Sequence, residues 1–236
     1  MFKDGYKPGT EDYRWEHVKR MFCYPTWKWQ LFNFGFIAFF QNWLLMGIAL
    51  PLWFIQTNKP TRATIKQEPF NWLDLVLTLV WLMFFAIEVV ADKQQFRFQT
   101  NKYRFLEMSL KQKKAFKEQS TVDDLSDYKR GFCTTGLFRY SRHPNFCGEL
   151  GMWWTIAGFT LSSQLGYITR NFHVVKLLPL NFGFVGIVCL TLLFHESTKL
   201  TEKITSAKYA DYKEYQGKVS RILLGLPGRM NAKKLD

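Results

Sequence analysis

Four long apolar runs, residues 31–55, 72–91, 146–162 and 177–194, constrain this chain more than any other feature of it. A bilayer core about 30 Å thick is crossed by about 20 apolar residues in a helix, with a range that admits all four runs. Inside lipid every backbone N–H and C=O must find an internal partner, so a spanning segment of this length is a helix. The second run carries Glu88 near its end, and the fourth is apolar apart from Asn181 near its start. The third is shorter and carries Glu149 at its start, so it is expected either to tilt or to draw on the connector up to Tyr167 to cross. The pattern predicts an all-α fold, a polytopic membrane bundle of about four transmembrane helices. Residues 1–30 then form a cytosolic N-terminal segment and residues 31–236 the membrane domain.

Orientation follows from the basic residues, which concentrate on the cytosolic side of membrane proteins. Six Lys/Arg precede residue 31, twelve lie in the connector 91–145 and nine follow Phe194, whereas the other two loops hold three and two. With four crossings the rich segments fall on one side, so both termini and the long connector are expected in the cytosol. The net charge of +13 is then a topology signal and an attraction to anionic headgroups. No nucleic-acid recognition module is visible, and nucleic acid is not expected as a partner. The opening MFKDGYKPGTEDYRWEHVKR has charges of both signs and no apolar h-region, so no cleavable signal peptide is expected. Lys233 and Lys234 stand third and fourth from the end, matching a dilysine retrieval signal of the endoplasmic reticulum. Cys23, Cys133, Cys147 and Cys189 are scattered without a CxxC pair and read as reduced structural thiols. In the connector, residues 103–118 are expected to form an interfacial helix, and STVDDLSDYKRGFCTTG a loop.

The unusual polar residues fall at one depth. Glu88 and Asp92 are four apart, on one face at the cytosolic end of the second run. Arg139, Tyr140, Arg142, His143, Asn145 and Glu149 stand at the cytosolic start of the third, and His195, Glu196 and Lys199 at the cytosolic end of the fourth. Ionisable groups at a membrane edge usually face a cavity, a partner or a ligand. The plain alternatives are that Asp92 pairs with Arg97 and that His195 and Glu196 mark an ordinary polar helix exit. Pro144 suits the first position of a helix and forces His143 out of helical geometry. The helix start, with Arg139, Arg142 and His143 beside it, therefore makes an anion site. Gly148 permits close approach of a helix or of a flat ring. Three helices thus offer charged groups to a common cytosol-facing cofactor pocket; a phosphorylated cofactor fits, as does a carboxylate-bearing one with a positive centre held partly by Glu149.

The stretch G-L-F-R-Y-S-R-H-P-N-F-x-G-E, with Trp153 and Gly158 after it, resembles the C-terminal signature of the membrane steroid 5α-reductase family, and most closely its DUF1295 branch. E-D-Y-R-W near the start, F-x-x-F-F-Q-N-W-L-L-M, A-D-K-Q-Q-F and the tail R-I-L-L-G-L-P agree with it. The R-H-P-N core is also found in isoprenylcysteine carboxyl methyltransferases and phospholipid methyltransferases, which use S-adenosylmethionine. The resemblance implies that Asn145, Glu149 and Asp92 contact a nicotinamide cofactor and that His195 matches the family's cofactor-site histidine. Arg97 and Arg104 substitute for arginines that hold phosphate, and Lys199 stands where the family has a tyrosine.

Steroid reductases polarise an enone carbonyl with a Glu and a Tyr from earlier helices, and this chain starts after them. Gln41 in the first run, with Asn42 beside it, is the polar residue placed to take that part, and Tyr140 is the candidate acid. The resemblance thus implies NADPH-dependent reduction of an activated C=C bond in a lipid or sterol-like substrate that arrives through the membrane lipid. A membrane methyltransferase using S-adenosylmethionine and a noncatalytic shortened member are the alternative readings.

Overall fold

The computed structural model describes residues 13–21, 26–57, 71–109, 112–113, 116, 120–168 and 182–230, and among these every regular element is a helix. The chain divides into two compact units, Met1–Gln67 with Ser163–Leu192, and Glu68–Ser162 with Leu193–Asp236.

The first unit contains α1 (Tyr13–Met21), α2 (Thr26–Phe32), a π-helical stretch Asn33–Phe40 and α3 (Gln41–Thr57). It also holds the 3-10 turn Phe182–Phe184 and the opening of α7 (Val185–Lys208). Phe32, Phe36 and Phe40 stack ring on ring at 5.1 and 5.4 Å from the end of α2 along the π-helical stretch. Trp15 of α1 meets Trp29 and Phe32 edge-on at 6.1 and 6.0 Å. α3 and α7 touch backbone to backbone where Gly47 faces Gly186, and a Cβ on Gly186 would stand 2.1 Å from the Gly47 carbonyl carbon. Leu44, Ile48, Ile187 and Leu190 are buried on either side of that crossing. Small residues at a crossing let helices gain dispersion contacts where lipid removes the hydrophobic drive between them.

The second unit is built on α4 (Trp72–Glu107), whose N-terminus is closed by a capping box. The Asn71 side chain accepts from the Leu73 and Asp74 amides, and Asp74 accepts from the Asn71 amide. α6 (Pro144–Ile168) runs antiparallel to it. Ser162 donates to Asp74 at 2.6 Å, Gly158 lies against Leu77, Gly151 against the Phe84 ring and Gly148 against the Glu88 Cβ and the Phe84 carbonyl. Pro144 is the first residue of α6, as its missing N–H and fixed φ predict.

Thirty-six residues make α4 about 54 Å long, well beyond the thickness of a bilayer core. Its distal part is instead the frame of a polar head. Phe98 and Phe105 are buried there with Leu125, Tyr128, Cys133 and Phe138. A second cluster joins Phe132 to Tyr212, Tyr215, Val219 and Met230. The stretch expected to be a loop forms α5 (Val122–Arg130). Thr121 caps it by accepting from the Asp124 amide, two acids fill its first turn, Lys129 and Arg130 its last, and Gly131 ends it at φ 90°. The helix buries Leu125 and Tyr128, three residues apart and so on one face, which a short polar-looking string conceals. The interfacial helix expected over 103–118 is replaced in its first part by the end of α4; residues 110–111, 114–115 and 117–119 lie outside the described residues.

Two stretches, Thr26–Trp53 and Trp72–Glu107, are long and apolar enough to cross a membrane. None of the most apolar window of α4 is buried within the protein, and Trp72, Leu75, Leu79, Leu82 and Met83 all stand exposed. The expected dilysine signal at Lys233 and Lys234, Asn181 and the first two residues of E-D-Y-R-W lie outside the described residues.

Candidate functional site

The signature stretch has its shape set by three partners outside it. Gly136, at φ 61°, sits so close to the Gln94 amide of α4 that a Cβ would stand 2.6 Å from it, and Gln94 accepts from the Leu137 amide at 2.9 Å. Tyr215 of α8 (Tyr212–Lys218) donates its hydroxyl to the Phe138 carbonyl at 2.5 Å. The segment after α8 then lies along the motif: the Arg142 and His143 amides donate to the Ser220 and Arg221 carbonyls at 2.9 and 3.0 Å. Ser141, fully buried, donates to the Ile222 carbonyl at 2.7 Å.

Arg142 and His143 do meet an anion, and it is the chain's own Glu202 on α7. Arg142 binds it with two nitrogens, Nε to Oε1 at 2.6 Å and Nη2 to Oε2 at 3.1 Å. Its Nη1 donates to the Gln216 carbonyl at 2.8 Å and to the Val219 carbonyl. The His143 Nε2 lies 3.2 Å from Glu202 Oε1, and Gln216 donates to Oε2 at 2.9 Å. Burial works to raise the Glu202 carboxyl, but hydrogen bonds from His143, Arg142 and Gln216 outweigh it and hold the group at about 2. A carboxylate that is ionised and enclosed by Arg142 and His143 leaves those two side chains the task of fixing the loop. Nothing in the sequence near Glu202 singled it out, because its partners are some sixty residues away.

The head holds a second buried carboxylate, Asp127, which accepts from the Thr134 amide and hydroxyl at 2.6 Å each and pairs with Arg130. Burial dominates there and pushes its carboxyl up to about 6 in spite of those bonds. The Cys133 thiol nearby is pushed up to about 12 by burial; Cys133, Cys147 and Cys189 are free thiols, and Cys23 lies outside the described residues.

Asp92 and Glu149 form a separate group. They interact electrostatically with each other and with Glu88, across the close contact of α4 with α6 at Gly148. Glu149 accepts a hydrogen bond from the Trp153 side chain, and Glu88 Oε2 is buried with no hydrogen-bond partner among the described residues. Gly148 is filled by helix α4, so of its two expected uses the structure shows the helix and leaves no space there for a ring. Asn145 stands half-buried one turn before Glu149 on the same helix.

The remaining candidates are more dispersed. Arg139 pairs with Asp123 at 2.7 Å, and Lys199 with Glu196 at 2.6 Å on an exposed face. Tyr140, Arg97, Arg104 and His195 are exposed. Gln41 is half-buried at the start of α3, in the other unit, where its neighbour Asn42 donates to the Ala38 carbonyl of its own helix. Carboxylates and an amide at one level can hold hydroxyls, amides or a positive centre. Among the described residues no group of His, Cys, Asp and Glu has the arrangement of a metal site.

Residues 1–219 match the model of the family described as protein of unknown function (DUF1295). The chain belongs to that family. It is 32% identical over 231 residues to the uncharacterized protein C594.04c of Schizosaccharomyces pombe, an alignment that covers 96% of this chain. The chain spans 58% of the length of that relative. No solved structure matches.

Proposed function

We propose that this protein is a multi-pass membrane reductase, with its head and termini in the cytosol at the endoplasmic reticulum, that uses NADPH to reduce an activated C=C bond in a lipid or sterol-like substrate. The observation that carries the reading is the convergence of Asp92 and Glu149, from two helices, beside Asn145. These are the residue types that the resemblance to steroid 5α-reductases assigns to the nicotinamide cofactor. Asp92 and Glu149 are suited to accept from ribose hydroxyls, and Asn145 to pair with a carboxamide through both its donor and its acceptor. When bound, the cofactor supplies a hydride. The carboxylates favour positive charge beside them, the sign that a hydride donor acquires. Arg97, exposed further along α4, is the cation offered for phosphate, since Arg142 and His143 are engaged by Glu202. Tyr140 is the phenol nearest in sequence to the site and the candidate proton donor, with Gln41 as a second hydrogen-bond donor to substrate oxygen.

One observation favours a second reading. Glu88, Asp92 and Glu149 are three carboxylates whose charge a sulfonium would also complement, and S-adenosylmethionine carries one. Calorimetry on purified protein in detergent separates the two. The reductase reading expects NADPH to bind, Asn145→Ala to weaken it roughly 10- to 100-fold through lost hydrogen bonds, and Glu149→Gln to reduce turnover. Tight S-adenosylmethionine binding with none of NADPH would replace it. NADPH binding without oxidation across a panel of enone lipids would leave a noncatalytic family member.

A further inference from the structure

We propose that the loop 220–228 is a membrane anchor whose leucines enter the cytosolic leaflet of an anionic bilayer. It carries Leu223, Leu224 and Leu226 outward, with Leu223 75% and Leu226 89% exposed. Exposed leucines on a slack loop would mean little, but this backbone is pinned. The Gly225 amide donates to the Tyr140 carbonyl at 2.8 Å and the Gly228 amide to the Arg139 carbonyl at 2.9 Å. Ser220 donates to the Tyr140 carbonyl at 3.1 Å, and Ser141 donates to the Ile222 carbonyl at 2.7 Å. The residues it is pinned to are the last ones before α6 starts at Pro144. The proposal rests on the membrane reading above: if α6 crosses from there, the loop is held at the level where the helix enters lipid.

Charge and side-chain types agree with an anionic lipid surface as the occupant. Arg229, exposed, follows the leucines, and residues 219–230 contain no acid; Arg221 before them turns its Nε inward to Glu202 at 3.5 Å. Exposed Tyr140 stands beside them, an aromatic of the kind enriched at headgroup level. Apolar side chains that reach the acyl boundary, with an exposed cation beside them to meet anionic headgroups, are the composition of an interfacial anchor.

The test is a depth measurement on the full chain, reconstituted in vesicles of phosphatidylcholine with a minor share of phosphatidylserine. Leu226→Cys and, as a reference on exposed α8, Lys213→Cys are spin-labelled, with the signal of the identically treated parent chain subtracted. The ratio of oxygen to nickel-chelate collision rates is expected to be several-fold higher at Leu226, and to fall when phosphatidylserine is left out or Arg229→Gln is introduced. Equal ratios at the two positions would overturn the proposal. So would shielding that comes with spin–spin broadening and grows with protein density, which would assign the leucines to a second copy. No cofactor enters the measurement, so its failure and that of the reductase reading are separately visible.

Discussion

Arg142 and Glu202 show how one residue pair decides what a motif is for. Arg142 is 9% exposed and Glu202 2%, and their two-nitrogen pairing would leave an uncompensated buried charge if either were removed. Glu202 is held at about 2 against an ordinary 4.5, so its contribution to stability is complete above about pH 4.5 and is lost as the pH falls toward 2. Asp127 runs the other way. Its folded carboxyl is raised from 3.8 to about 6, so the folded state binds the proton more tightly and loses stability as the pH rises through that interval. Asp127→Asn abolishes that ionisation. The gap in melting temperature between the parent protein and Asp127→Asn should therefore be larger at acidic pH, near 4, than at neutral pH; a gap that widened toward neutrality would show that Asp127 is stabilised as the anion. Neither carboxylate could be ranked from the sequence, because both depend on donors brought in from other elements.

At the scale of elements, the antiparallel contact of α4 and α6 sets the distance between Asp92 and Glu149. A Cβ on Gly148 would stand 2.8 Å from the Phe84 carbonyl and from the Glu88 amide nitrogen, both backbone atoms that cannot rotate away. Gly148→Ala should push the helices apart and cost about 1–3 kcal/mol, read as a lower midpoint of thermal unfolding in detergent. Gly217→Ala is the control: nothing lies within 4 Å, and alanine in a helix gains about 0.5–1 kcal/mol over glycine. Equal effects of the two changes would remove the close contact from the account. The sequence pointed to Gly148 as a place of close approach, since only a missing side chain permits one. Whether a helix or a ring fills it is a matter of which element arrives, and that is α4. α5 was concealed for a related reason: nine residues with mostly polar side chains become a helix because a cap, a left-handed glycine and two buried apolar side chains, Leu125 and Tyr128, act together.

For the whole molecule, the asymmetry of basic residues makes a topological statement that labelling can check. Single cysteines at Lys129 and Lys213 should react with a membrane-impermeant maleimide only after the plasma membrane is opened, and one at Arg62 should remain protected until the internal membranes are opened too. Reaction at Arg62 together with the others would contradict four crossings. From the sequence alone the apolar runs and charge placement led to a helical chain with about four crossings, because these follow from the solvent each residue tolerates; the described residues show helices, two of whose stretches are long and apolar enough to cross. The position of Pro144 as a helix start was legible for the same local reason, a ring that fixes φ. Only the tertiary structure decided which polar groups face one another. It closed Arg142 and His143 on Glu202, paired Arg139 with Asp123, and brought Asp92 and Glu149 together. Charge pairing falls off over a few ångströms, whereas the partners here are separated by 16 to 60 residues of chain, so their choice belongs to the packing of elements rather than to any local pattern.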